Sequence, residues 1–220
     1  MIRQLDAEND RGRSFHLISE EAGERDYGGG GDVIVVDPID GSHNAKMGIP
    51  YFSLTLAAAT DRTYGGVQEG CVRNLVTGHH FEATRGGGAT LNGAPIRLTA
   101  AGDTINVLQF EATRLADHLD EYRELLFSAE KVRVLGSAAL NICLVASGAV
   151  SVSLAPSLRS VDCAAPLLVL TEASGVATDM EGANLDGLDM ALDVRPSVVT
   201  AGSQGLLENA LRKLRPRPLG

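Results

Sequence analysis

Positive charge is scarce in this chain. Nineteen Lys and Arg against 28 Asp and Glu leave a formal net charge of −9 at pH 7, whereas affinity for nucleic acid rests on neutralising phosphates with basic side chains. A nucleic-acid partner is therefore not expected. Cysteine is equally sparse: Cys71, Cys143 and Cys163 are odd in number and widely spaced, with no Cys-x-x-Cys, so they read as buried thiols in a reducing compartment. No stretch reaches the ~18–20 consecutive apolar residues of a membrane span, and the opening Met-Ile-Arg-Gln-Leu-Asp lacks the apolar core of a secretory signal. A cytoplasmic protein with no membrane partner is the expectation.

What the chain does have is enough apolar content, 44% of 220 residues, to bury a sizeable core as one domain or two intimate halves. Its character changes near residue 103. Before that point, β-rich segments at Ser53–Thr60, Gly65–Arg73 and His79–Thr84, followed by Asn92-Gly93, predict an antiparallel meander closed by a hairpin. After it, the pattern predicts strands at Thr104–Phe110, Lys131–Leu135, Val150–Leu154, Val176–Asp179 and Ser197–Ala201. These alternate with helices at Leu115–Ser128, Ala138–Ser147, Asp162–Ala173 and Gln204–Leu214, an α/β half with helices layered on a sheet. The expected units are thus 1–103 and 104–220, with Arg215–Gly220 as a frayed tail.

The most informative segment is Val33-Ile34-Val35-Val36-Asp37-Pro38-Ile39-Asp40-Gly41-Ser42. Four consecutive β-branched residues read as a strand buried on both faces, and Pro38, without a backbone donor, is expected to turn the chain out of the sheet. Asp37, Asp40 and the Ile39 carbonyl could then converge on a hard cation such as Mg2+, which takes oxygen ligands. Ser42 falls at a helix N-terminus, a favourable place for phosphate. The competing reading is a solvated Asp-Pro/Asp-Gly turn.

Two further acidic places reduce the weight of that reading. Phe15-His16-Leu17-Ile18-Ser19-Glu20-Glu21 is a short apolar strand ending in acid, with its glutamates 17 and 16 residues before Asp37, enough for a strand, a loop containing Gly28–Gly31 and a return strand. That glycine run reads as a hairpin tip near the site rather than a phosphate cradle, because no helix or Lys-Ser/Thr follows it. Asp162 opens a helix of small and apolar residues, where an acid also serves as ordinary dipole-stabilised capping.

Asp37-Pro38-Ile39-Asp40-Gly41-Ser42 with Ser19-Glu20-Glu21 upstream, and Val161-Asp162-Cys163-Ala164-Ala165 followed by Leu170-Thr171-Glu172-Ala173-Ser174-Gly175-Val176, together resemble the inositol monophosphatase superfamily of Mg2+-dependent phosphatases. Gly136-Ser137-Ala138-Ala139-Leu140 looks like the family's substrate-side turn, and Gly86–Gly93 like its hairpin. Asn44-Ala45-Lys46, Arg73–Gly78 and Leu158–Asp162 look closest to the archaeal branch, whose members hydrolyse inositol 1-phosphate and fructose 1,6-bisphosphate.

That resemblance implies a layered α-β-α-β-α sandwich of the sugar phosphatase type and a homodimer. It implies that Glu20 (in preference to Glu21), Asp37, the Ile39 carbonyl, Asp40 and Asp162 ligate two or three Mg2+ ions. Ser42 would orient the attacking water and touch phosphate, and the Gly41 and Ser42 N–H groups would hold phosphate oxygens. Gly136, Ser137 and Ala138 would contact the alcohol, with Arg159 a candidate for a second phosphate. The implied chemistry is direct attack by metal-activated water without a phosphoenzyme, because hydrolysis of a monoester dianion demands charge neutralisation.

The sequence departs from the family in two places. Val161 stands where the family often has Trp. Only 19 residues precede Glu20, so the first helical layer is expected to be largely missing, and with it an Asp that pairs with the hydroxyl at Ser42. Neither Asp6 nor Glu8 has the spacing to replace that Asp; Met1–Asp10 reads as the end of a helix, and slow turnover with one or two Mg2+ ions is expected. The other readings are a non-catalytic metal- or phosphate-binding relative and a 3'-phosphoadenosine nucleotide phosphatase. His79-His80, adjacent on a predicted strand, point to opposite faces and cannot easily share a metal. His43 is nearer the site but sits where the family tolerates variety, and Asp186, Asp189 and Asp193 read as a solvated loop.

Overall fold

The computed structural model describes residues 12–28, 30–99, 102–111 and 119–214. Two sheets organise it. The first contains β1 (Phe15–Ser19), β2 (Gly23–Tyr27), β3 (Asp32–Asp40), β4 (Ser53–Ala59), β5 (Val67–Asn74), β6 (His80–Thr84), β7 (Gly88–Leu91) and β8 (Ala94–Ile96), ordered β2-β1-β3-β4-β5-β6-β7-β8. The second contains β9 (Val107–Phe110), β10 (Lys131–Arg133), β11 (Val152–Ala155), β12 (Val176–Thr178) and β13 (Val198–Ala201), ordered β10-β9-β11-β13-β12. The helices are α1 (Ser42–Met47), α2 (Leu119–Ser128), α3 (Ala138–Ala146), α4 (Ser160–Glu172) and α5 (Gln204–Lys213).

From β3 to β8 each strand pairs antiparallel with the next, the predicted meander. Its last turn places Asn92 and Gly93 at φ 53° and 79°, the left-handed pair that a two-residue hairpin needs. Helices α3 and α4 lie between the two sheets: one buried cluster joins Val35, Ala57 and Val72 of the first sheet to Ile142, Cys143, Leu168 and Val169 of the helices and Val198 of the second sheet. Helix α4 is buried from Ser160 to Leu170, which explains why its small and apolar residues run all round the helix. It approaches β5 at Gly70, where a Cβ would come within 3.0 Å of the Ala165 carbonyl oxygen. A second cluster packs α2 and α5 on the other face of the five-stranded sheet through Leu108, Phe110, Tyr122, Leu125, Leu206 and Leu207. The layers are thus β-α-β-α among the described residues, and no helix among them is long and apolar enough to cross a membrane.

Several expectations change. The break near residue 103 separates the sheets but not the cores, because α3 and α4 of the second segment fill the space against the first sheet. Pro38 does not eject the chain: β3 continues to Asp40 through a bulge, with Asp37 opposite Thr55 and Asp40 opposite Ser53. The glycine run is not near the acids, since Tyr27 and Asp32, the strand residues on either side of it, both pair with Phe15, at the opposite end of β1 from Ser19.

Other differences are local. The strand expected at Lys131–Leu135 ends at Arg133 and is exposed throughout. Cys71 is half-buried, not buried, and its Sγ lies 2.9 Å from His80 Nε2. The acidic loop keeps Asp186, Asp189 and Asp193 exposed, as expected, while Leu185 and Met190 anchor it in the core and Asp189 pairs with Arg62 at 3.5 Å. Residues Met1–Asp10, including Asp6 and Glu8, the start of the helix expected at Leu115, and Arg215–Gly220 lie outside the described residues.

Candidate active site

Strand register brings the first two acids together. Ser19 pairs with Val36 across the parallel β1–β3 ladder, and the Glu20 N–H donates to the Val36 carbonyl at 3.3 Å. Glu20 and Asp37 are therefore neighbours, each one residue beyond the last pair of the β1–β3 ladder. Asp162 reaches the same point from the first turn of α4. One carboxylate oxygen from each of Glu20, Asp37 and Asp162 lies within 4.8 Å of the others. Glu21 is exposed and outside this group.

The bulge in β3 places the next acid. Residues three apart on a regular strand face opposite sides, but one extra residue between Asp37 and Asp40 reverses that parity. Both side chains become buried, at 2% and 5% exposure. The Ile39 N–H donates to Asp37 Oδ1 at 2.9 Å, bracing the bulge, and Ile39 itself sits outside the ladder register.

The carboxylates differ in what surrounds them. Asp40 accepts from the Ala138 N–H at 3.2 Å, the Ala139 N–H at 3.0 Å, Ser53 Oγ at 3.2 Å and Ser137 Oγ. It thus satisfies donors at the start of α3 that have no partner within the helix. Asp37 Oδ2 and Asp162 Oδ1, by contrast, are buried with no donor among the described residues. Burial pushes the Asp37 carboxyl up to about 6, with the Asp40 charge adding to the effect. Burial also raises Asp162, with Asp40 and Asp37 contributing. Acids this close cannot all ionise unless a proton or cation lies among them, so the donor set fits a metal ion. Arg159, the N-cap residue of α4, ion-pairs with Glu20 at the edge of the group.

A cleft of about 490 Å³ opens beside the acids, lined by Asp40, Gly41, Ser42, Gly136, Arg159 and Asp162 among others. Gly41 is left-handed at φ 86°, and a Cβ there would come 2.9 Å from the Gly136 carbonyl oxygen. Asn44 ties these segments together, donating from Nδ2 to the Tyr51 carbonyl at 2.8 Å and the Leu135 carbonyl at 2.7 Å. Ser42 begins α1 and Ala138 begins α3, both on the cleft wall. Ser137, expected on the substrate side, has a fully buried side chain that donates to Asp40 and caps α3 by accepting from the Leu140 N–H. Sequence reasoning missed Glu111 and Arg195, which also line the cleft. Glu111 had a signal, an acid just after the apolar end of a predicted strand, in the position where layered α/β folds bind ligands; Arg195 had none.

Acids with orphaned oxygens, gathered from a strand bulge and a helix start beside a cleft, define the class of protein as an enzyme whose acid cluster could bind metal. The model of the inositol monophosphatase family matches residues 5–217, and the chain belongs to that family of phosphoric monoester hydrolases. It is 33% identical over 215 residues to the fructose-1,6-bisphosphatase/inositol-1-monophosphatase of Methanothermobacter thermautotrophicus, covering 92% of this chain and 76% of the relative. It is 34% identical over 193 residues to the inositol-1-monophosphatase of Mesorhizobium japonicum, covering 84% and 68%. The crystal structure of an inositol monophosphatase-fructose 1,6 bisphosphatase superposes with a TM-score of 0.83 at 27% identity, covering 96% of this chain and 81% of that one.

Proposed function

We propose that this protein is a Mg2+-dependent phosphate monoesterase acting on small phosphorylated polyols, inositol 1-phosphate and fructose 1,6-bisphosphate foremost. The observation that carries this reading is the pair of buried, donor-free oxygens, Asp37 Oδ2 and Asp162 Oδ1, gathered with Glu20. Glu20, Asp37 and Asp162 would hold the ion, with Asp40 and the Ile39 carbonyl as further oxygen donors. When bound, Mg2+ neutralises phosphate charge and lowers the pKa of water, while chelating oxygens as a hard cation. The names of the two curated relatives support the substrate choice.

The chain's own residues perform the remaining work. Gly41 and Ser42 offer backbone N–H groups at the start of α1 to the phosphoryl oxygens. The Gly41 conformation keeps a side chain from filling the approach to Gly136. Asp40, held by four donors, fixes the start of α3 and hence the Gly136–Ala138 wall where the alcohol would lie.

Phosphate release from inositol 1-phosphate, fructose 1,6-bisphosphate and 3'-phosphoadenosine 5'-phosphate, each with and without Mg2+, tests the reading. Hydrolysis of either polyol ester only with Mg2+ is expected. Preference for the adenosine ester would move the substrate class, and no release from any of the three would leave a binding protein.

A further inference from the structure

Glu111 stands outside the acid cluster, immediately after β9. Its backbone N–H donates to the Leu154 carbonyl at 2.9 Å, continuing the parallel β9–β11 ladder, in which Phe110 pairs with Leu154. The backbone is thereby fixed at the C-terminal end of the strand, and the residue lines the cleft with Gly41, Ser42, Gly136 and Arg159. Oε2 is closed off from water, and no donor among the described residues reaches it. Burial, with the Asp40 charge adding to it, pushes the carboxyl up to about 7. A buried acid without a donor costs folding free energy. Of the two carboxyl oxygens only Oε2 is both closed off and unpartnered, which leaves Oε1, on the cleft side of a residue that lines the cleft, as the oxygen a ligand would meet.

We propose that Glu111 is a specificity residue that hydrogen-bonds hydroxyl groups on the alcohol half of the substrate. This rests on the phosphatase reading and narrows it to esters whose leaving alcohol carries free hydroxyls. The phosphoryl half is accounted for by the acid cluster and the start of α1. The alcohol half needs groups that recognise neutral hydroxyls, and a carboxylate does so by accepting their hydrogen bonds.

The test compares inositol 1-phosphate with p-nitrophenyl phosphate, whose leaving group has no hydroxyl neighbours, using wild type, Glu111→Gln and Glu111→Ala with Mg2+. Glu111→Ala is expected to lower kcat/KM for the inositol ester by about 10- to 100-fold, mainly through KM, the range of a hydrogen bond to a charged group. The aryl ester should be cleaved as by wild type, which also shows that the variant is folded. Glu111→Gln, which keeps an acceptor oxygen and the side-chain shape, should retain more of the inositol activity than Glu111→Ala. Equal losses on both esters, or no loss on either, would overturn the inference while leaving the phosphatase reading intact. A wild type that cleaves neither ester would overturn both.

Discussion

Two regions of one site treat buried carboxylates in opposite ways. At the start of α3, Asp40 receives four hydrogen bonds from Ser53, Ser137, Ala138 and Ala139, which tie β3 and β4 to the helix, although burial still raises its carboxyl. A few residues away, Asp37 and Asp162 are buried with an unpartnered oxygen each, and burial, with the nearby Asp40 charge adding to it, raises the cost of ionising either. The first arrangement stabilises the fold. The second stores an electrostatic demand that a divalent cation can meet, and the difference separates an acid that also braces the fold from those left for a cation alone.

The sharpest way to break this comparison is Asp37→Asn. It should lower turnover on the order of 10²- to 10³-fold or more, the scale of losing a group that stabilises charge in the transition state, and calorimetric titration should show weakened Mg2+ binding. In the metal-free protein the same change should leave the melting temperature equal or higher, because it removes a repelling charge. Normal metal-dependent turnover would take Asp37 out of the site.

Asp40→Ala should behave in the contrary sense. With the Ala138 and Ala139 N–H groups and Ser137 deprived of their acceptor, urea unfolding of the metal-free protein should show a loss of about 2–3 kcal/mol, the scale of hydrogen bonds to a charged group. If the loss appears only with Mg2+ present, Asp40 acts through the metal alone and its bracing of α3 carries no stability.

The smallest effect concerns pH. Asp37 in the folded protein titrates at about 6 against an ordinary value of 3.8. Between those values the folded state therefore holds a proton that the unfolded chain has released, and its stabilising contribution is lost as pH rises. Melting temperatures without metal should thus fall across this window, and Asp37→Asn should flatten the slope. A wild-type slope unchanged by that substitution would show that Asp37 ionises normally.

Much of the site was legible because its acids sit at places that sequence marks well. Val33–Val36 announced a buried strand, Ser19-Glu20 a neighbouring one, and Asp162 the first turn of a helix, and the structure gathers Glu20, Asp37 and Asp162. The meander and the Asn92-Gly93 hairpin were legible for the same reason, since period and turn chemistry are local. Less legible was Pro38, whose missing donor signalled an exit from the sheet; the strand accommodates it in a bulge. Ser137 was expected at the substrate because Gly136–Leu140 resembles the family's substrate-side turn, and its side chain is fully buried. Glu111 carried only the signal of an acid after a strand end, and the pairing of β9 with β11 is what brings it to the cleft.

Sequence alone determined which residues form strands and helix starts, that carboxylates rather than thiols or histidines would do the chemistry, and the family to which the chain belongs. Those properties depend on periodicity, composition and short spacings. Tertiary structure decided which acids are left without donors, which one is saturated, and that α3 and α4 join both sheets into one core. Those depend on pairing between residues as far apart as Asp40 and Ala139, and hydrogen-bond saturation across such separations is fixed by packing, not by any local pattern.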